Sequence, residues 1–251
     1  MLKEVRRASL RGTTTTDGFA IAESFHLLEE ALRSDCEIGA VFAAESVKSA
    51  VERHVGGLKK VRVFVLPDEL FRSVAATEAS QGVIALVRPP TWTLEQLFRG
   101  RSLAVILDGL QDPGNAGTVV RAAEAFGATG VVFLKGTVSP YNPKCLRASA
   151  GSIFRVPLVA AMDERLLLAA VEQRKLEMFA LMPKGALELG ECNFSRKCAI
   201  IVGSEGRGVS ERLRAKAMDV RIPTVGVESL NAALAAGIAL YAARKQRMMT
   251  P

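Results

Sequence analysis

The sequence predicts an α/β protein with a mostly parallel sheet flanked by helices, preceded by a smaller α/β unit. Three observations carry that prediction. Short apolar runs such as Leu103–Leu107 and Cys198–Val202 show no polar alternation, as expected of strands buried on both faces of a parallel sheet. Stretches of helical periodicity separate such runs, and strand–helix alternation joins parallel strands by crossovers. Pro89 and Pro90, directly after Arg88, favour an extended connection between two blocks.

Residues 1–18 are basic, then threonine-rich, with Gly12, Asp17 and Gly18 as turn formers. The expectation is a mobile start whose Lys3, Arg6, Arg7 and Arg11 reach a phosphate backbone, or else a solvated, frayed terminus. Phe19–Ala22 is strand-like, and Ser24 precedes a helix carrying Phe25, Leu28, Ala31 and Leu32 on one face. A strand over Ile38–Ala44, a helix over Ser46–His54, a strand over Val61–Leu66, a short helix over Asp68–Ala75 and a strand over Gly82–Val87 complete this unit. The reading divides the chain into residues 1–90, a linker over 91–101, and residues 102–251.

The second unit opens on the Leu103–Leu107 strand. Helices are predicted over Thr118–Phe126, Pro143–Ala150, Glu164–Arg174, Ser210–Lys216 and Leu230–Arg247, with strands over Gly130–Leu134, Glu177–Met182, Cys198–Val202 and Val220–Ile222. Taken alone, this pattern describes an ordinary doubly wound fold, since knotted chains are very rare.

The chain has 251 residues, enough for two domains, and its hydrophobic fraction of 49% supports a sizeable core. A net charge of +7 attracts polyanions, nucleic acid among them. Cys36, Cys145, Cys192 and Cys198 are widely separated, and His26 and His54 lie far from any of them. That argues against a zinc site or a disulfide framework and points to a reducing cytoplasm. The start of the chain has no apolar signal core, and no run of 18 uncharged apolar residues occurs, so a secreted or membrane-spanning protein is not expected.

Three polar, glycine-bearing segments each follow an apolar run. The first, Asp108 to Gly117, contains Asp112, Pro113, Gly114 and Asn115 in a turn; a helix is expected from Ala116 or Gly117, with Asn115 as its cap and Arg121 about one turn in. The free amides at such a start suit a phosphate or ribose, and a nearby guanidinium makes an anion clamp. The second, Gly203-Ser204-Glu205-Gly206-Arg207-Gly208, sets a carboxylate among glycines that permit close backbone approach. Glu205 is expected to pair with Arg121 or Arg207, or to accept backbone bonds. This spacing is not the G-x-G-x-x-G dinucleotide fingerprint, which disfavours a nicotinamide-dependent dehydrogenase. The third runs from Ile222 through Ser229, Leu230 and Asn231 into an alanine-rich helix, with Ser229 as candidate cap.

In this order, with Arg121 six residues after Asn115, the three segments resemble the signature motifs of the SpoU (TrmH) family of RNA ribose 2′-O-methyltransferases, part of the knotted SPOUT class. The resemblance is strong over roughly the last 150 residues. It implies a trefoil knot in which the segment after Ile222 threads an earlier loop, S-adenosylmethionine bound within that knot, and a homodimer with Arg121 a candidate to act across the interface. It also implies that Gly203, Ile222 and Leu230 contact the cofactor, and that Asn115, Arg121, Glu205, Ser229 and Asn231 form the catalytic pocket. The segment from Ile222 to Ser229 is about one residue shorter than the commonest family form.

The first unit more weakly resembles the RNA substrate-binding domain carried by many of these enzymes, through Phe19–Leu32 and the stretch from Thr77 and Glu78 to Ser80, Gln81, Gly82 and Ala85. Such a domain favours ribosomal RNA over tRNA as substrate. Two rival readings accompany this one: a knotted RNA-binding protein without turnover, and a methyltransferase acting on N1 of guanine. The charge of the last helix, with Arg244, Lys245 and Arg247 at its end and Leu234, Ile238, Leu240 and Tyr241 before them, suits both a packing face and the helix dipole.

Overall fold

The computed structural model describes residues 1–57, 61–77 and 79–249. Two sheets organise the chain. The small one is built from β1 (Ala20–Glu23), β2 (Glu37–Ala44), β3 (Arg62–Leu66) and β4 (Val83–Arg88), in the order β1-β4-β2-β3. Here β4 runs antiparallel to both its neighbours, and β2 and β3 are parallel. Around it lie α1 (Leu2–Arg11), α2 (Phe25–Arg33), α3 (Lys48–Val55) and α4 (Asp68–Val74).

The start of the chain departs from expectation. Rather than a mobile arm, residues 2–11 form α1, because Val5 and Ala8, at helical spacing, bury against Ile21, Phe42 and Ile84 on the outer face of the small sheet. Gly12 ends the helix at φ 64°, a left-handed conformation suited to glycine, and the Thr13 amide bonds back to Ala8. The helix's one acid, Glu4, accepts from the Thr16 backbone amide at 2.7 Å and ties the following turn to it.

At the second point of family likeness, Ser24 caps α2 by accepting from Leu27 N–H at 3.1 Å, and Gln81 Oε1 accepts from Phe25 N–H at 2.9 Å. Gly82, at φ 78°, turns the chain into β4. Glu78 lies outside the described residues. Buried Glu23 is satisfied by Ala76 N–H and the Thr77 hydroxyl.

After a short α5 (Leu94–Leu97), which occupies part of the stretch expected to be plain linker, comes the large sheet. Its elements are β5 (Leu103–Asp108), α6 (Pro113–Ala125), β6 (Gly130–Leu134), α7 (Pro143–Ser149), β7 (Leu158–Met162), α8 (Glu164–Arg174), β8 (Glu177–Leu181), β9 (Leu187–Glu188), β10 (Cys198–Gly203), α9 (Glu211–Arg214), β11 (Met218–Arg221) and α10 (Ala232–Met249). All strands are parallel, in the order β7-β6-β5-β10-β8-β11-β9. Neither edge strand is predicted from sequence: β9 has only two residues, and β7, though its Leu158–Met162 run is apolar, is rich in alanine and has no strong strand preference.

Alternate residues of the central strands enter two cores. Leu103, Val105, Leu107, Ile200 and Val202 pack with Val119 and Val120 of α6 and Ala236 and Leu240 of α10. Ala104, Ile106, Ala199 and Ile201 face Leu167 and Val171 of α8 and Leu213 of α9. The first core continues without a break into Leu27 and Leu28 of α2 and Val87 of β4. At the same seam, Arg155 ion-pairs with both Glu30 and Glu124.

Candidate active site

Strand β10 inserts between β5 and β8, and its register against β5 runs from Cys198 opposite Leu103 to Gly203 opposite Asp108. Two parallel neighbours that end together send their following loops out side by side, the usual place for a ligand site in an open α/β sheet. The loops concerned carry the first two glycine-bearing segments.

After β10 the chain doubles back sharply. Ser204 and Gly208 exchange backbone bonds of 3.1 and 2.9 Å, and Gly208 sits at φ 68°. A Cβ placed on Gly203 would lie 2.1 Å from the Gly208 carbonyl carbon, so only glycine lets the turn close. The turn leaves Glu205 exposed at its tip.

After β5, α6 begins at Pro113, earlier than expected, and its cap is Asp112 rather than Asn115. The Asp112 carboxylate accepts from Gly114 N–H at 2.9 Å, with proline in the first helical position. Lys144 Nζ lies 2.9 Å from the same carboxylate. Those two partners, Lys144 foremost, hold the Asp112 carboxyl below the usual range. Released from capping, the Asn115 side chain is free to reach across to the next loop.

The cap of α10 is Asn231, not Ser229. Asn231 Oδ1 accepts from Ala233 N–H at 3.0 Å and Leu234 N–H at 3.2 Å. With its oxygen so committed, its amide nitrogen must point outward, and it donates to Asn115 Oδ1 at 3.0 Å. Asn115 Nδ2 in turn donates to Glu205 Oε1 at 2.7 Å. One polar chain, Asn231 to Asn115 to Glu205, thus joins all three segments. Its direction is set by the helix cap at one end and the acceptor-only carboxylate at the other.

Beside this chain lies a cavity of about 530 Å³, bounded by the Gly203–Gly208 turn, the end of β8 at Met182, and residues 222–232. Val202, Val220, Ile222 and Leu230 supply apolar wall; Glu205, Glu228 and Ser229 supply polar edge. Within the segment, Thr224 Oγ1 donates to the Val227 carbonyl at 2.9 Å. Gly203, Glu205, Ile222, Ser229, Leu230 and Asn231, all expected from sequence, line the cavity, and Asn115 joins them through its hydrogen bonds.

Arg121 does not. It is exposed on α6 and makes no hydrogen bond or ion pair among the described residues. Because the helix starts at Pro113, Arg121 lies two turns in, about 9 Å along the axis from Asn115 and about 120° around it. Glu205 therefore pairs with neither Arg121 nor Arg207 but with Asn115. Met182 and Glu228 were not singled out from sequence; Met182 reaches the cavity only because β8 adjoins β10. No cluster of metal-ligating side chains occurs among the described residues.

A glycine-tight turn, a capped helix start and a second capped helix, converging on one cavity at the carboxyl edge of a parallel sheet, define a nucleoside-cofactor site of the methyltransferase type. The model of the SpoU rRNA methylase family matches residues 102–241, and the chain belongs to that family. An MRM3-like substrate binding domain model matches residues 2–85. Among curated relatives, the 23S rRNA (guanosine(2553)-2′-O)-methyltransferase RlmP of Bacillus subtilis is 33% identical, over 91% of this chain and 89% of its own. An uncharacterised tRNA/rRNA methyltransferase of Synechocystis is 33% identical over 98% of this chain and 91% of its own. Among solved structures, the SpoU methyltransferase AviRb of Streptomyces viridochromogenes in complex with AdoMet superposes with a TM-score of 0.89 at 25% identity, covering 98% of this chain and 97% of its own.

Proposed function

We propose that the protein transfers a methyl group from S-adenosylmethionine to a ribose 2′-hydroxyl in structured RNA, ribosomal RNA in preference to tRNA. The observation that carries this reading is the polar chain from Asn231 through Asn115 to Glu205 at the mouth of the cavity. The RlmP relative, named for 23S rRNA 2′-O-methylation, supports the choice of substrate.

The cavity fits the cofactor. Its volume and apolar wall suit an adenosine, and the backbone approach at Gly203 leaves polar main-chain groups at the ligand's edge. Carboxylates at Glu205 and Glu228 complement a sulfonium charge. Gly203, Ile222 and Leu230 would hold the cofactor, which when bound supplies the electrophilic methyl group.

The residues of this chain do the rest. Asn115 and Asn231 fix the Glu205 carboxylate, whose Oε2 has no partner among the described residues and takes the proton of the attacking hydroxyl. Ser229 orients the ribose at the cavity edge. Arg121, which stands outside the cavity of its own protomer, is assigned to the target phosphate, where its planar guanidinium stabilises developing negative charge.

Three further assignments belong to this proposal. Residues 1–90 form an RNA substrate-binding domain, 91–101 the linker and 102–251 the catalytic domain, in keeping with the two matched family models. The catalytic domain is a trefoil knot, a reading supported by the return of residues 222–232 across the end of β10 to line the same cavity as Gly203–Gly208. The protein is a cytoplasmic homodimer: Leu234, Tyr241 and Met248 stand exposed at seven-residue intervals along α10, an apolar stripe in which Tyr241 also meets Phe126 edge-on at the end of α6. Four free cysteines support placement in a reducing compartment.

The test is incubation with labelled S-adenosylmethionine and total RNA, followed by mapping of the labelled nucleotide. Label on an alkali-resistant linkage in ribosomal RNA is expected. Label confined to tRNA would reverse the substrate choice, label on a base would favour the guanine reading, and cofactor binding without label would leave an RNA-binding protein without turnover.

A further inference from the structure

Helix α1 carries four cations against a single acid, Glu4, whose charge offsets only the neighbouring Arg7 in part. Lys3, Arg6, Arg7 and Arg11 are exposed and make no ion pair or hydrogen bond through their side chains among the described residues. Together with exposed Leu10 they fall within an arc of about 140° and span about 12 Å of helix axis. The opposite face is anchored by Val5 and Ala8, so the cations stand on a fixed element rather than a mobile arm. Glu4, held by the Thr16 amide, keeps its charge beside Arg7, and leaves three of the four cations in excess.

The end of this stripe abuts the catalytic half of the molecule. A Cβ on Gly12 would lie 2.8 Å from Asn142 Nδ2, so the end of α1 rests on the start of α7. Asn142 caps α7 by accepting from Lys144 N–H at 2.9 Å, and Lys144 Nζ reaches Asp112, the cap of the helix that holds Asn115. Each step from Arg11 to Asn115 is thus a contact between neighbours. Arg147, exposed three residues beyond Lys144, adds a cation to the same α7 face.

We propose that α1 and the start of α7 form a phosphate track that leads the RNA backbone from the small sheet to the catalytic pocket. An excess of cations on one rigid face, at a density that repels itself in the free protein, is complementary to a polyphosphate chain, and the contacts just described align the row with the reacting site. This inference rests on the RNA-modifying function proposed above. It adds where the substrate lies and which residues hold it.

The experiment compares the full-length protein with the triple variant Lys3→Gln, Arg7→Gln, Arg11→Gln. A control variant neutralises three exposed cations elsewhere, Arg165→Gln, Lys197→Gln and Lys216→Gln. Binding to in vitro transcribed large-subunit ribosomal RNA is titrated at several salt concentrations, alongside S-adenosylmethionine binding and thermal unfolding. Each lost phosphate contact removes roughly 0.7 to 0.9 from the slope of log affinity against log salt, so the α1 variant should flatten it by about 2 and weaken RNA binding at least about 10-fold. Cofactor affinity and unfolding should stay native, and the charge-preserving Lys3→Arg, Arg7→Lys, Arg11→Lys protein should keep the native slope. Equal slopes in the α1 and control variants would overturn the track while leaving the methyltransferase reading intact. A native protein that binds neither cofactor nor RNA would overturn both.

Discussion

Asn115 and Asn231, 116 positions apart in the chain, meet through a 3.0 Å hydrogen bond whose direction is dictated by a helix cap. Because Asn231 spends its oxygen on the first amides of α10, Asn115 must accept from it and donate onward to Glu205. Glu205 is therefore oriented by the start of a helix remote in sequence.

Asn115→Ala should cut methylation in single-turnover assays by about 10²-fold, the scale of losing one preorganised donor, because Glu205 loses its anchor. S-adenosylmethionine binding, measured by calorimetry, should change little. Asn115→Asp should do worse than Ala, most of all at low salt, since it sets a second carboxylate beside Glu205. Native turnover in both variants would remove the polar chain from the mechanism.

Arg121→Ala should lower single-turnover methylation by at least roughly 10²-fold with cofactor affinity nearly unchanged, and Arg121→Lys should restore it only in part, since lysine lacks the planar fork. If Arg121 serves the partner's pocket, mixing Arg121→Ala with Leu230→Asp, each inactive alone, should recover roughly a quarter of native activity in statistically mixed dimers. Leu230→Asp by itself should first weaken cofactor binding. Absence of recovery would place Arg121 in its own protomer's chemistry, and a monomer by analytical ultracentrifugation at micromolar concentration would remove the dimer.

Gly203→Ala should destabilise the protein by about 1–3 kcal/mol, because the added methyl group meets Gly208 backbone rather than a side chain that can swing away. Chemical denaturation measures that loss. Cofactor affinity should fall with it, since the displaced turn borders the cavity.

Asp112→Ala should cost about 1 kcal/mol at neutral pH through loss of the α6 cap. Asp112→Asn preserves capping and isolates the charge. Lys144 and the Gly114 amide lower the Asp112 carboxyl in the folded state, so its stabilisation is complete above the unfolded carboxyl value and is lost as pH falls through the lower folded one. The native advantage over Asp112→Asn, read from melts across pH, should therefore hold at neutral pH and shrink only in acid. An advantage that grew on acidification would contradict the pairing with Lys144.

The sequence by itself determined the α/β class, most central strands and helices, and the three segments that make the site, because buried parallel strands and amphipathic helices write their environment into local apolar periodicity. The family resemblance of those segments also pointed to Gly203, Glu205, Ile222, Ser229, Leu230 and Asn231, all of which line the cavity. Helix starts were less legible: Asp112 against Asn115, three positions apart, and Ser229 against Asn231, two apart, are capping residues of similar propensity, and only the hydrogen bonds formed choose between them. The anchoring of α1 was hidden because Val5 and Ala8 are a short apolar signal amid cations, and their burial depends on a sheet face assembled later in the chain. Strand order belongs wholly to the tertiary structure. Periodicity reports that a strand is buried, not which strand lies beside it. The insertion of β10 between β5 and β8 brings Glu205 to Asn115 and Met182 to the cavity, whereas the start of α6 at Pro113 turns Arg121 to solvent.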